Sequence, residues 1–120
     1  MFTMFAVALL TAAPFPEKGI AAKYPADRGI ENDPRVVFVE NFEGPLDEIW
    51  KRWETVGDKP GQSLTADVPP GSSGKTSLLM DRTKGPGPQL YRRLKNKEGG
   101  WGYDRLFARY YVKFDPDCAK

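Results

Sequence analysis

The sequence predicts an antiparallel all-β fold with one short helix, on three observations. The chain of 120 residues carries 12 glycines and 11 prolines, and that frequency of turn formers breaks it into short segments too brief for a helical bundle. Between the breaks, apolar and polar residues alternate with the period of a strand. The third observation is residues 105–114, where Leu106, Ala108, Tyr110, Val112 and Phe114 fall on one face of an extended strand and Arg105, Phe107, Arg109, Tyr111 and Lys113 on the other. The first face is a core face. The second interleaves three cations with two aromatic rings, a mixture suited to an anionic or ring-shaped ligand. The competing reading is a solvated face on which long basic side chains cover apolar neighbours with their stems.

Residues 36–39, Val-Val-Phe-Val, are β-branched and aromatic and predict the first strand, ending at the Gly44-Pro45 turn. Pro45 suits the start of a helix, Asp47 and Glu48 suit its positive end, and Leu46, Ile49, Trp50 and Trp53 recur at helical spacing, so a short helix is expected near 45–56. The two tryptophans read as caps over a core rather than as a sugar-stacking platform. Residues 63–68 and 76–81 predict a hairpin with a long loop, and 89–94 another strand, with Leu90, Arg92 and Leu94 on one face and Gln89, Tyr91 and Arg93 on the other. Residues 95–103 read as a polar loop.

Residues 2–13 are almost wholly apolar and uncharged, the length of a signal-peptide core and short of the roughly 20 residues that a spanning helix needs. The expected organisation is a signal peptide over 1–22, cut at residues 11–13 or near Ala21 and Ala22, a proline- and charge-rich linker over 23–35, and a domain from 36 to 120. A secreted or periplasmic protein with no membrane association after processing follows. Cys118 is the one cysteine, and in an exported chain a lone cysteine points to a partner elsewhere. With the best strand so close to the end, the expectation is the N-terminal portion of a longer protein; the alternative is a small domain with a free terminal thiol.

Net charge is +2, unevenly spread: residues 17–81 hold 8 basic and 12 acidic side chains, residues 82–113 hold 9 basic and 2 acidic. Such segregation favours an acidic partner for the second half, or mutual neutralisation of the two halves in the fold. The chain has no histidine, which removes Ser/His/Asp and Cys/His nucleophiles and His-bearing metal sites from it. Residues 69–76, Pro-Pro-Gly-Ser-Ser-Gly-Lys-Thr, narrowly miss a P-loop: proline stands where a glycine is needed, and the segment after Lys75-Thr76 reads as a strand rather than a helix. Glu40, Glu43, Asp47 and Glu48 cluster in sequence and offer an acid–base pair or a calcium site, against ordinary service as helix-start and strand-end residues. Aromatic and basic residues together also suit single-stranded nucleic acid. Export argues against that partner; an N-terminus belonging to the fold would make an oligonucleotide-binding barrel the second choice.

The order Val-Val-Phe-Val-Glu-Asn-Phe-Glu (36–43), Leu-Asp-Glu-Ile-Trp-Lys-Arg-Trp (46–53), Ser-Leu-Thr-Ala-Asp-Val-Pro-Pro-Gly (63–71), Ser-Leu-Leu-Met (77–80), Leu-Tyr-Arg-Arg-Leu (90–94) and the ending 106–118 resembles the opening of concanavalin A-like jelly rolls, nearest to exported bacterial proteins related to polysaccharide lyases. The resemblance implies an antiparallel β-sandwich, incomplete in this chain, whose concave sheet binds an acidic polysaccharide. Tyr91, Arg93, Arg109, Tyr111 and Lys113 are its implied substrate-binding residues. A lyase of that kind holds a uronate carboxylate with an arginine, for which the chain offers Arg92, Arg93 or Arg109, while a tyrosine, lysine or histidine moves the C5 proton, for which it offers Tyr91 or Tyr111. The chain lacks the Arg-Glu-Leu-Arg and glutamine-isoleucine-histidine strands of alginate lyases, so catalytic residues stay unassigned and a non-catalytic sugar-binding or adhesion module is the alternative. No cofactor is implied beyond a possible calcium ion.

Overall fold

The computed structural model describes residues 18–117; the apolar run 2–13 and Cys118 lie outside the described residues. The architecture is a correction to the expected sandwich. Helix α1 (Leu46–Lys51) is followed by four short strands, β1 (Thr55–Gly57), β2 (Gln62–Thr65), β3 (Ser77–Met80) and β4 (Gln89–Tyr91), with a turn of 3-10 helix between β1 and β2 and another between β3 and β4. The strands form two separate two-stranded antiparallel sheets, β1 with β4 and β2 with β3. Two expected strands, residues 36–39 and 105–114, belong to no ladder. Without them no pair of sheets faces across a common core, and no concave sheet exists among the described residues.

Helix α1 begins where its sequence directs. The Pro45 carbonyl accepts from the N–H groups of Glu48 and Ile49, both at 3.1 Å, and Asp47 and Glu48 stand in the first turn with Lys51 in the last. It ends five residues before the expected limit because the chain finds other partners. Arg52 and Trp53 close the last turn onto Ile49 and Trp50, then the Glu54 N–H donates to the Tyr91 carbonyl at 2.9 Å and Thr55, Val56 and Gly57 pair with Tyr91, Leu90 and Gln89. A β-branched pair beside a glycine gains more from a ladder than from another helical turn.

Ile49 is fully buried and is the one buried apolar side chain among the described residues. Around it, Trp50 Nε1 donates to Gln62 Oε1 at 2.9 Å, and Gln62, itself buried, donates to the Gly57 carbonyl at 2.8 Å. This amide ties α1, β1 and β2 together. On the other side Trp53 meets Phe38 edge-on, ring centroids 5.2 Å apart, so residues 36–39 are held by side-chain packing rather than by a sheet.

The β2–β3 hairpin pairs Gln62 with Met80 and Thr65 with Ser77, as the alternation of 63–68 and 76–81 leads one to expect. Its long loop contains the near-P-loop, whose backbone serves an internal anion. The N–H groups of Lys75 and Thr76 donate to Glu43 at 2.6 and 3.0 Å, and Thr76 Oγ1 donates to the Phe42 carbonyl at 2.7 Å. Those N–H groups hold the Glu43 carboxyl below the usual carboxylate range. At the far end, Gly61 is buried and its carbonyl accepts from Asp81 N–H at 2.8 Å. A Cβ on Gly61 meets the Asp81 carbonyl oxygen and Pro88 Cγ at 2.7 Å each, so Gly61→Ala is expected to lower unfolding free energy by about 1–3 kcal/mol. A urea midpoint unchanged from wild type refutes this.

Candidate functional site

Strand β4 delivers Arg92 and Arg93 to a tight loop that returns through Trp101. Lys95 and Trp101 form an isolated antiparallel bridge. Asn96 N–H donates to the Gly100 carbonyl at 2.9 Å, Gly102 N–H to the Leu94 carbonyl at 3.1 Å, and Asn96 Oδ1 accepts from Gly100 N–H at 2.8 Å. Gly99 and Gly102 sit at φ +83° and +82°, which a side chain rarely tolerates, and so let the loop turn back within seven residues. Tyr103 then donates to the Lys95 carbonyl at 2.5 Å.

The consequence is an indole presented to two cations. The Arg93 guanidinium lies 4.3 Å and the Lys95 ammonium 4.8 Å from the Trp101 ring centroid, while Trp101 stays 57 % exposed. Two adjoining open clefts of about 350 and 360 Å³ share Arg92, Arg93, Leu94 and Trp101 as walls. Lys51, Arg52 and Lys95 also line one of them, against Glu54 as its single carboxylate wall. Arg92 stacks on Phe38 at 4.5 Å and donates to the Arg52 carbonyl. Glu54 is bound by Arg93 through both backbone N–H (3.1 Å) and Nε (2.8 Å), which keeps its carboxyl below the ordinary range. With Lys51, Arg52 and Arg93 paired to Glu48, Glu40 and Glu54, Arg92 and Lys95 leave a cationic excess beside an exposed aromatic ring, an arrangement chemically suited to an anionic, flat-faced ligand.

Of the five expected binding residues, Arg93 alone lines this cleft. Tyr91 is on β4, its ring about half exposed. Arg109, Tyr111 and Lys113 are elsewhere and already engaged. Arg109 Nη2 is 3.1 Å from Asp27, the guanidinium stacks on Tyr111 at 5.2 Å and bonds its hydroxyl, and Lys113 Nζ is 2.6 Å from Asp67. Arg109 and Tyr111 thus meet as neighbours on one face are expected to, but neither they nor Lys113 line the cleft. With no neighbouring strand among the described residues to flatten 105–114, Arg109 and Lys113 reach back to carboxylates of the acidic half, and neutralisation between halves is what the fold displays at Arg93, Arg109 and Lys113. Exposed pairs of this kind contribute about 0–1 kcal/mol, so Arg109→Ala is expected to leave both stability and ligand affinity near wild type, measured by thermal melting and titration calorimetry.

Three of the four clustered carboxylates are likewise occupied. Glu40 binds Arg52, Glu43 binds the Lys75 and Thr76 N–H groups, and Glu48 lies 2.5 Å from Lys51. Among the described residues no group of three or more carboxylate, cysteine or histidine side chains is placed to hold a metal ion, and no helix is long and apolar enough to cross a membrane. Sequence reasoning passed over Trp101 and Lys95, treating 95–103 as an ordinary polar loop, and named Arg92 only as one of three arginines able to hold a carboxylate. The available signal was an aromatic residue set among glycines, Gly-Gly-Trp-Gly, immediately after a run of four basic residues at 92, 93, 95 and 97. Compared with known proteins, the chain matches no family model, no curated protein and no solved structure.

Proposed function

We propose that the chain binds an acidic polysaccharide at the Trp101 cleft, as an exported binding module. The observation that carries this reading is the exposed Trp101 indole with Arg93 and Lys95 within 5 Å of its centre. A pyranose ring presents an apolar C–H face that packs on an indole, and a uronate carboxylate or sulfate on the same sugar meets the neighbouring cations by charge-assisted hydrogen bonds. Binding is favoured over lyase chemistry because the cleft's proton-transfer candidates are engaged: Tyr103 donates to the Lys95 carbonyl, Lys51 pairs with Glu48 and Lys95 lies over the Trp101 ring. The proposal includes export, argued from the apolar run 2–13, which places the site where such polymers occur.

Titration calorimetry with polygalacturonate and a sulfated glycan, against a neutral glucan, tests the reading. Trp101→Ala is expected to weaken acidic-glycan binding by about tenfold, Lys95→Ala by less, and wild-type affinity should fall as salt is raised because the cations are solvent-screened. Affinity indifferent to salt and to Trp101→Ala overturns the proposal, as does tighter binding of a single-stranded oligonucleotide. Absorbance from an unsaturated uronate product assigns a lyase instead of a binding module.

A further inference from the structure

Residues 106–114 form no backbone hydrogen bond with another described residue, yet they carry the strongest strand alternation in the chain. Their apolar row is open to solvent, Tyr110 being 80 % and Phe114 72 % exposed, with Leu106 and Val112 also exposed. An unpaired segment of this kind is a template for another strand. Its own sequence specifies what pairs with it.

We propose that residues 105–115 are a self-complementary edge through which two copies of this chain pair antiparallel, centred on Tyr110. In that register Tyr110 faces Tyr110 of the second copy, Ala108 faces Val112 and Leu106 faces Phe114, so every apolar residue of one row meets another. On the opposite row Arg109 faces Tyr111 and Lys113 faces Phe107, cation to ring each time, and Arg105 faces Asp115 at the ends. Shifting the centre to Arg109 sets Arg109 against itself and Arg105 against Lys113. Shifting it to Tyr111 sets Arg109 against Lys113. Both place like charges opposite one another, and a shift by a single residue mixes the apolar row with the cationic one. Registers centred on Ala108 or Val112 also keep like charges apart, but they set Val112 and Phe114 against Asp104 and Gly102, or Ala108 and Leu106 against Pro116 and Cys118, so only the register centred on Tyr110 pairs the whole apolar row with itself in a second copy. The surface meets the Trp101 clefts only at Leu106, which lines one of them, and cross-linking at position 110 reads the dimer without reference to glycan binding.

Disulfide trapping in the full chain with Cys118→Ser tests this. Tyr110→Cys places two thiols directly opposite one another, Cα atoms about 4.5–5.5 Å apart, inside the range a disulfide bridges. Tyr110→Cys is expected to yield a covalent dimer under mild oxidation. Arg109→Cys, whose two copies are offset by two residues, should stay largely uncross-linked. Sedimentation of the Cys118→Ser chain should show a monomer–dimer equilibrium, weakened about tenfold by Val112→Lys, because each off-centre pair occurs twice. Three results overturn the proposal: a monomer at all accessible concentrations, cross-linking that is equal at positions 109 and 110, or a monomer whose amides over 106–114 are protected from hydrogen exchange. The last outcome assigns the edge to a segment of the same chain, such as residues 2–13.

Discussion

Ile49→Ala is expected to cost about 2–5 kcal/mol of unfolding free energy, the range for truncating a fully buried isoleucine. Small domains are stable by only about 5–15 kcal/mol, so this one substitution removes a large share of what holds the described residues together. The size follows from how little else is buried. Ile49 is the sole buried apolar side chain among them, and it sits in α1, where Trp50 and, just past the helix, Trp53 reach Gln62 and Glu40 through their indole N–H groups. Ile49→Val, which removes one methylene, should cost about 0.5–1.5 kcal/mol. Urea unfolding followed by tryptophan fluorescence checks both, and a midpoint for Ile49→Ala equal to that of Ile49→Val refutes the argument.

Glu40→Ala is expected to be the second most damaging change, at about 2–4 kcal/mol. Arg52 grips the Glu40 carboxylate with Nε at 2.9 Å and Nη2 at 2.7 Å, Trp53 Nε1 donates to it at 3.2 Å and the Phe42 N–H at 2.8 Å. The glutamate side chain is 5 % exposed and the arginine side chain 37 %, so truncation strands four donors but leaves the guanidinium partly hydrated, below the full cost for a buried pair. Burial pushes the Glu40 carboxyl up. The bonds from Arg52, Phe42 and Trp53 outweigh it and hold the carboxyl below its ordinary value. A carboxyl depressed by folding contributes stability that is complete above its unfolded pKa, about 4.3, and is lost as pH falls through the folded value. Asp33, held down by Arg35 and Tyr24, and Glu43 shift in the same direction. Acid unfolding is therefore expected below about pH 4.3, with a shallower dependence in Glu40→Gln. Unfolding titrations across that window check it, and identical slopes in the two proteins refute Glu40's part.

The helix start and the β2–β3 hairpin were legible because their causes are local. Pro45, Asp47 and Glu48 act within one turn, and the alternation on either side of residues 69–76 lets two adjacent segments pair across their own loop. Of the site, Arg93 was legible from the basic run, but the cleft was not. Trp101 matters because Lys95 pairs with it and Arg93 stacks on it, and neither fact has a signature in residue order.

By itself, then, the sequence determined where the chain turns, where α1 begins and which half is acidic and which basic, since each depends on neighbours a few residues apart. Only the tertiary structure decided that residues 54–57 leave the helix for Tyr91, that 36–39 are held by Trp53 rather than by a ladder, and that 105–114 offer their apolar row to solvent. Alternation states that a segment is able to be a strand. Whether it becomes one depends on a second backbone to accept its hydrogen bonds, and for residues 106–114 none of the described residues supplies it.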